Sequence, residues 1–186
     1  MKVLKPEIPG LLVIEPDVFG DQRGFFMETW NVKRYKDVGI DVDFVQDNLS
    51  YSHYGVLRGL HYQQPHAQGK MVYVLQGRVY DVAVDIRVGS PSFGQWYGVE
   101  LSAENKRQFY IPEGFAHGFC VLSETALFAY KCTDFYSPQT EGGIAWDDPD
   151  LDIDWPLKEP VLSDKDKKYP MLKSVELNTL PQWSEC

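Results

Sequence analysis

The stretch Val56–His61 reads VLRGLH and sets an imidazole three positions after a guanidinium. Imidazole takes up and releases a proton near neutral pH, and a guanidinium holds an anionic ligand beside it. Gly59, between the two, offers a backbone that can turn tightly. Taken alone, a His at the end of an apolar strand is more often a hydrogen-bonding residue than a catalyst. A second chemical cluster lies at Pro112–Phe119, PEGFAHGF, where His117 follows a Pro-x-Gly turn between two apolar runs.

These side chains need a scaffold, and the chain reads as strands. Val79–Ile86 alternates, with Tyr80, Val82, Val84 and Ile86 on one face and Asp81 and Asp85 on the other. Met71–Leu75 precedes it, and Gln76-Gly77 between them reads as a hairpin turn. Tyr97, Val99 and Leu101 alternate again. Phe109–Ile111, Phe119–Leu122 and Ala126–Cys132 are further short strands, separated by Gly-, Pro- and Ser-bearing turns. Helical signal is confined to Glu28–Asp37 and to a stretch opened by Ser163, with Asp166 at capping-box spacing. The expected class is all-β, an antiparallel sandwich with a few short peripheral helices. With no repeat or linker, residues 1–186 read as one domain.

Composition narrows the function. Of 186 residues, 44% are apolar and 14% aromatic, which suits a sheet-dominated core. The net charge of −9 argues against nucleic acid or an anionic membrane as partner, so cations serving an anionic ligand must be gathered locally. Cys120, Cys132 and Cys186 have neither the number nor the spacing of a disulfide framework or zinc knuckle. The N-terminus lacks a leader-like apolar segment, and no apolar run is long enough to span a bilayer, so the expected location is the cytoplasm.

The Pro-x-Gly-x-x-His element resembles the second motif of cupins, small jelly-roll proteins in which that His often binds a metal. In the register of the first cupin motif fall Gln64, His66, Lys70 and Gly77. Gln stands where a His ligand would be and Lys where a carboxylate would be. A charged Lys has donors only and cannot ligate a metal. The expectation is a cupin-type jelly roll without a metal site.

A longer resemblance runs from about Ile8 to Asp166. VFGDQRGFFMETW, FVQDNLSYS, VLRGLHYQ, QGKMVYVLQGRVYDVAVDIR, LSAENKRQFYIPEGFAHGF, YSPQTEGGIAWDDP and LSDKD, in that order, resemble the dTDP-4-dehydrorhamnose 3,5-epimerase family. The resemblance implies inversion of two carbons flanking a ketone in a 4-keto-6-deoxy sugar carried on dTDP. Such a reaction needs a base, an acid on the opposite face and a donor for the enolate oxygen, and no redox cofactor. It assigns His61 as base, Tyr130 as acid, Asp166 as the carboxylate that orients His61, and Lys70 as enolate stabiliser. Arg23, Arg58 and Lys165 match ligand-binding cations. Glu28, Gln46, Asp47, Asn48, His117 and Glu141 match polar contacts, and Tyr136 the aromatic that stacks on thymine. Phe19 and Phe26 are candidates for the pocket wall. The resemblance further implies a homodimer. The competing classes are an enzyme inverting one carbon or isomerising a ketone, a metal-dependent cupin, and a sugar-nucleotide binder without activity.

Overall fold

The computed structural model describes residues 1–184; Cys186 lies outside them. The strands are β1 (Lys2–Leu4), β2 (Leu12–Glu15), β3 (Val18–Asp21), β4 (Gly24–Met27), β5 (Gln46–His53), β6 (Leu57–Gln63), β7 (Lys70–Gln76), β8 (Arg78–Asp85), β9 (Trp96–Ser102), β10 (Gln108–Ile111), β11 (Phe115–Val121), β12 (Thr125–Cys132) and β13 (Glu141–Gly143). They form a six-stranded sheet in the order β1-β2-β10-β7-β12-β5 and a five-stranded sheet in the order β13-β6-β11-β8-β9. A separate hairpin joins β3 and β4. The pairings between named strands are antiparallel.

The expected strands are present, but their connection differs at one point. Gln76-Gly77 is not a hairpin turn. β7 lies in the six-stranded sheet and β8 in the five-stranded one, so the chain crosses from one layer to the other there. Gly77, at φ +79°, is compatible with either geometry. Both flanking strands have apolar inward faces, and burying each against the other layer satisfies that pattern as well as pairing them would.

The inner faces pack together through Val72, Val74, Val79, Ala83, Leu101, Phe109, Phe119, Val121 and Phe128. The outer face of the five-stranded sheet is covered too. Val82, Val84, Ile86, Leu60 and Ala116 pack against Ile144, Leu151, Leu172 and Leu180 of the C-terminal segment. This explains why β8 is buried on both faces and why its Asp81 and Asp85 lie inside rather than in solvent. A third cluster, with Tyr35 and Ile40, covers part of the six-stranded sheet beside Leu12, Ile14, Met71 and Tyr110.

The helix expected over Glu28–Asp37 is shorter, α1 at Val32–Lys36. The side chain of Asn31 caps it by accepting from the backbone N–H of Lys33 and Arg34. The stretch opened by Ser163 forms only a 3-10 turn, Asp166–Lys168, because Pro170 disfavours helical backbone at Tyr169.

Candidate active site

The VLRGLH segment starts one residue before β6 and forms its first five positions, and its local geometry is set by a bulge. His61 pairs with His117 on β11, whereas Arg58 pairs with Phe119, so three steps on β6 match two on β11. In a regular strand residues three apart face opposite sides. The extra residue puts Arg58 and His61 on the same inward face. Gly59 therefore serves as a bulge rather than a turn. Its φ is +127°, and a Cβ there would sit 2.5 Å from the Cα of Gly118.

His61 reaches the 3-10 turn through a 2.6 Å hydrogen bond between Nε2 and the Oδ1 of Asp166. Asp166 is 5% exposed and takes a second bond, 2.8 Å, from the Ser163 hydroxyl, while its own N–H donates to Ser163 Oγ. Burial acts to raise the Asp166 pKa, but the bonds from His61 and Ser163 prevail and hold it below its ordinary value. Asp166 thus meets Ser163 twice, through its N–H and one carboxylate oxygen, and gives its other carboxylate oxygen to His61.

The cleft beside His61 has a volume of about 120 Å³ and is lined by Tyr62, Gln63, Gln68, Lys70, Tyr130, Tyr136 and Glu141. Lys70 opens β7, and burial lowers its pKa against the opposing pull of Asp81 and Glu141. Tyr130 projects from β12 with its pKa raised, chiefly by burial. Its phenol thus keeps its proton at neutral pH. His117 lies beneath, 7% exposed, with Nε2 2.9 and 3.0 Å from the two carboxylate oxygens of Asp81. Burial disfavours charge on both, lowering the His117 pKa and raising that of Asp81.

The rim of the cleft is an ordered polar network. The Tyr136 hydroxyl donates to Glu141 at 2.6 Å, and the Lys165 ammonium meets the same carboxylate oxygen. The Tyr136 N–H donates to Gln46, whose amide in turn donates to Asn48. Arg58 and Lys165 flank a second lobe, shared with His61, Ser163 and Asp166. Of the expected site residues, His61, Asp166, Lys70, Tyr130, Tyr136 and Glu141, with Arg58, Lys165, Gln46, Asn48 and His117 adjoining them, come together here.

Others are placed elsewhere. Asp47 faces the outer side of β5 and pairs with Lys131, because alternation on that strand turns Gln46 and Asn48 inward and Asp47 outward. Arg23 sits on the β3–β4 hairpin, paired with Asp21, and Phe19 and Phe26 on the same hairpin are 62% and 69% exposed. Glu28 bonds Asn31 and Arg34 at the start of α1. Gln64 and His66 are also outside the cleft; His66 is exposed and faces Asp134. Towards the end of β6 it is His61 and Gln63, not Gln64 and His66, that line the cleft.

Sequence reasoning missed Asp81 and Gln63. Asp81 stands with Asp85 on the face of β8 opposite Val82 and Val84, and burial of that face is what brings it to His117. Gln63 ties down the loop bearing Tyr136, donating to the carbonyls of His66 and Phe135 and accepting from the N–H of Ser137.

A family model described as dTDP-4-dehydrorhamnose 3,5-epimerase matches residues 5–174. The chain belongs to that family. A curated dTDP-4-dehydrorhamnose 3,5-epimerase from Shigella flexneri is 62% identical over 168 residues, covering 89% of this chain and 93% of the relative. The dTDP-6-deoxy-D-glucose-3,5-epimerase of Legionella pneumophila, solved in complex with dTDP-4-keto-L-rhamnose, superposes with a TM-score of 0.96 at 55% identity, over 99% of both chains. The dTDP-4-dehydrorhamnose 3,5-epimerase of Bacillus anthracis, solved with TDP and PPi, is 47% identical with a TM-score of 0.89, covering 91% of this chain and 98% of that one. The protein is accordingly an epimerase with a cupin-like β-sandwich, and its bulged β6 carries the LRGLH segment.

Proposed function

We propose that this epimerase inverts C3 and C5 of dTDP-4-dehydro-6-deoxy-D-glucose to give dTDP-4-dehydro-L-rhamnose, by proton removal and opposite-face return through an enolate. One observation carries the reading: His61 and Tyr130, the proposed base and acid, come from opposite layers of the sandwich. His61 lies on β6 of the five-stranded sheet, and Tyr130 on β12 of the six-stranded sheet, with both lining one cleft. A sugar ring held between the layers presents one face to each, which is the arrangement inversion requires.

The C4 ketone acidifies the protons at C3 and C5. His61, oriented by Asp166, takes such a proton at its free ring nitrogen. Electron density moves to the ketone oxygen, where the Lys70 ammonium stabilises the enolate in a low-dielectric cleft. The Tyr130 phenol delivers a proton from the other side. Tyr136 at the rim offers its ring to the thymine, Arg58 and Lys165 meet the diphosphate, and Gln46, Asn48, His117 and Glu141 supply polar contacts. Every step uses side chains of the chain itself.

We further propose a homodimer acting in the cytoplasm, each copy serving as one domain over residues 1–186. Arg23, Phe19, Phe26 and Glu28 lie away from the cleft of their own chain, so any substrate contact they make falls to the cleft of a second copy. The outward face of the six-stranded sheet, with Leu49, Tyr51 and Leu75 at 61%, 53% and 50% exposed, offers an apolar surface for pairing. Cys120 and Cys132, buried and free, suit a reducing compartment.

Turnover of dTDP-4-dehydro-6-deoxy-D-glucose, coupled to a reductase that consumes the L-configured product, tests the activity. Absence of turnover by the purified chain would overturn it.

A further inference from the structure

Tyr169 lies three residues beyond Asp166 and packs against the other side of the catalytic imidazole. Its ring centroid is 5.6 Å from that of His61, with the planes at 68°, an edge-to-face pair. The floor beneath it is Gly143. A Cβ at that position would fall 2.5 Å from three atoms of the Tyr169 ring, so the ring lies flat on the glycine. Gly143 is also the cross-strand neighbour of His61, which places the imidazole and the phenol side by side on one face of the sheet.

The seat is built at both ends. Pro170 favours extended backbone at Tyr169, whose φ and ψ are −65° and 143°, and the chain therefore leaves the 3-10 turn toward the sheet. The Pro170 carbonyl then accepts from the N–H of Ala145, just past β13. The Tyr169 hydroxyl is buried and has no hydrogen-bond partner. Hydrogen bonding thus gives no reason for the phenol, whereas the flat ring fills the space above Gly143.

We propose that Tyr169, seated on Gly143, is a positioning residue for the reaction. It blocks rotation of His61 away from Asp166 and holds the base in line with the sugar. The inference rests on the reading of His61 as the base. Asp166 constrains the imidazole through one nitrogen only, and a ring bonded at one point can still swing about it. The edge-to-face contact removes that freedom. Small misplacement of a catalytic group lowers the rate steeply while leaving binding intact.

The test compares kcat and KM for four variants with the wild type. Tyr169→Phe keeps the ring and should match the wild type. Tyr169→Ala should lower kcat by ~10-fold or more while KM stays within ~2-fold. If that variant folds poorly, Tyr169→Leu, which retains apolar volume without a flat ring, takes its place and should show the same split. Gly143→Ala, which drives a methyl into the ring, should reproduce the kcat loss. Combined with Tyr169→Ala it should cost no more than either change alone, because the two act on one seat. Wild-type kcat in Tyr169→Ala would overturn the proposal, as would equal losses in the Phe and Ala variants or multiplying losses in the double variant. His61→Ala serves as the control. If it retains activity, the base assignment has failed; if it is inactive while Tyr169→Ala is unimpaired, only the positioning role has.

Discussion

His61 and Asp166 are joined by a 2.6 Å hydrogen bond across 105 residues of sequence, and Asp166 is almost fully buried behind the ring it holds. The Ser163 hydroxyl fixes the other carboxylate oxygen. An imidazole bonded this way has one nitrogen committed to the carboxylate and leaves the other for proton transfer, which sets its tautomer. Replacing Asp166 with Asn should lower kcat about 10²-fold or more with little change in KM, measured by coupled turnover. An unchanged kcat would remove Asp166 from the mechanism.

The same pair makes stability depend on pH. Asp166 is held below its ordinary value of 3.8 in the folded protein, so the unfolded chain binds its proton first as pH falls. Its contribution is complete above pH 3.8 and is lost as pH drops through the folded value. The stability gap between wild type and Asp166→Asn should therefore be widest near neutrality and shrink in acid below that point. Chemical denaturation at a series of pH values measures it, and a gap that widens in acid would reverse the assigned sign.

Tyr130 stands on the sheet facing His61, and its burial keeps the phenol protonated. Tyr130→Phe should leave proton removal largely intact and impair its return. Solvent deuterium should still enter the substrate, while formation of the L-configured product falls about 10²-fold. Wild-type product formation would exclude Tyr130 as the acid.

Lys70 lines the cleft with His61 and Tyr130, and in the proposed reaction its ammonium meets the enolate oxygen. Lys70→Met keeps much of the side-chain volume and removes the charge. It should lower kcat by about 10²–10³-fold, the range for losing one stabilising donor. A rise in KM with kcat unchanged would make Lys70 a binding residue only.

Away from the cleft, Asp85 is fully buried and meets Arg87, Ser90 and Ser92. The Arg87 guanidinium lies 4.4 Å from the Phe115 ring and 4.3 Å from that of Trp183. Arg87→Ala would strand a buried carboxylate and should cost about 3–5 kcal/mol in denaturant unfolding. A cost under about 1 kcal/mol would show that the serines satisfy Asp85 unaided.

Much of this arrangement was legible in the residues. Alternation found β8 and β9, short apolar runs between turn residues found β7 and β12, and the LRGLH and LSDKD segments pointed to His61 and Asp166. What escaped depends on long-range partners. Alternation shows which residues share a face but not which layer a strand joins, so the crossing at Gly77 read as a hairpin. The role of Asp81 stayed hidden because nothing local reveals that the C-terminal segment covers the opposite face of β8, nor that His117 bonds to its carboxylate. The bulge at Gly59 was hidden in the same way. It is defined by pairing with β11, and without it Arg58 and His61 would appear to face apart. Asp47 followed its neighbours Gln46 and Asn48 by motif, although strand alternation alone turns it outward.

Hydrogen exchange in deuterated water, followed by NMR of the sugar, tests the central claim most directly. Wild-type enzyme should place solvent deuterium at both C3 and C5 of dTDP-4-dehydro-6-deoxy-D-glucose. His61→Ala, folded as shown by its circular dichroism, should place it at neither. Exchange at the wild-type rate in that variant would contradict the assignment of His61 as the base.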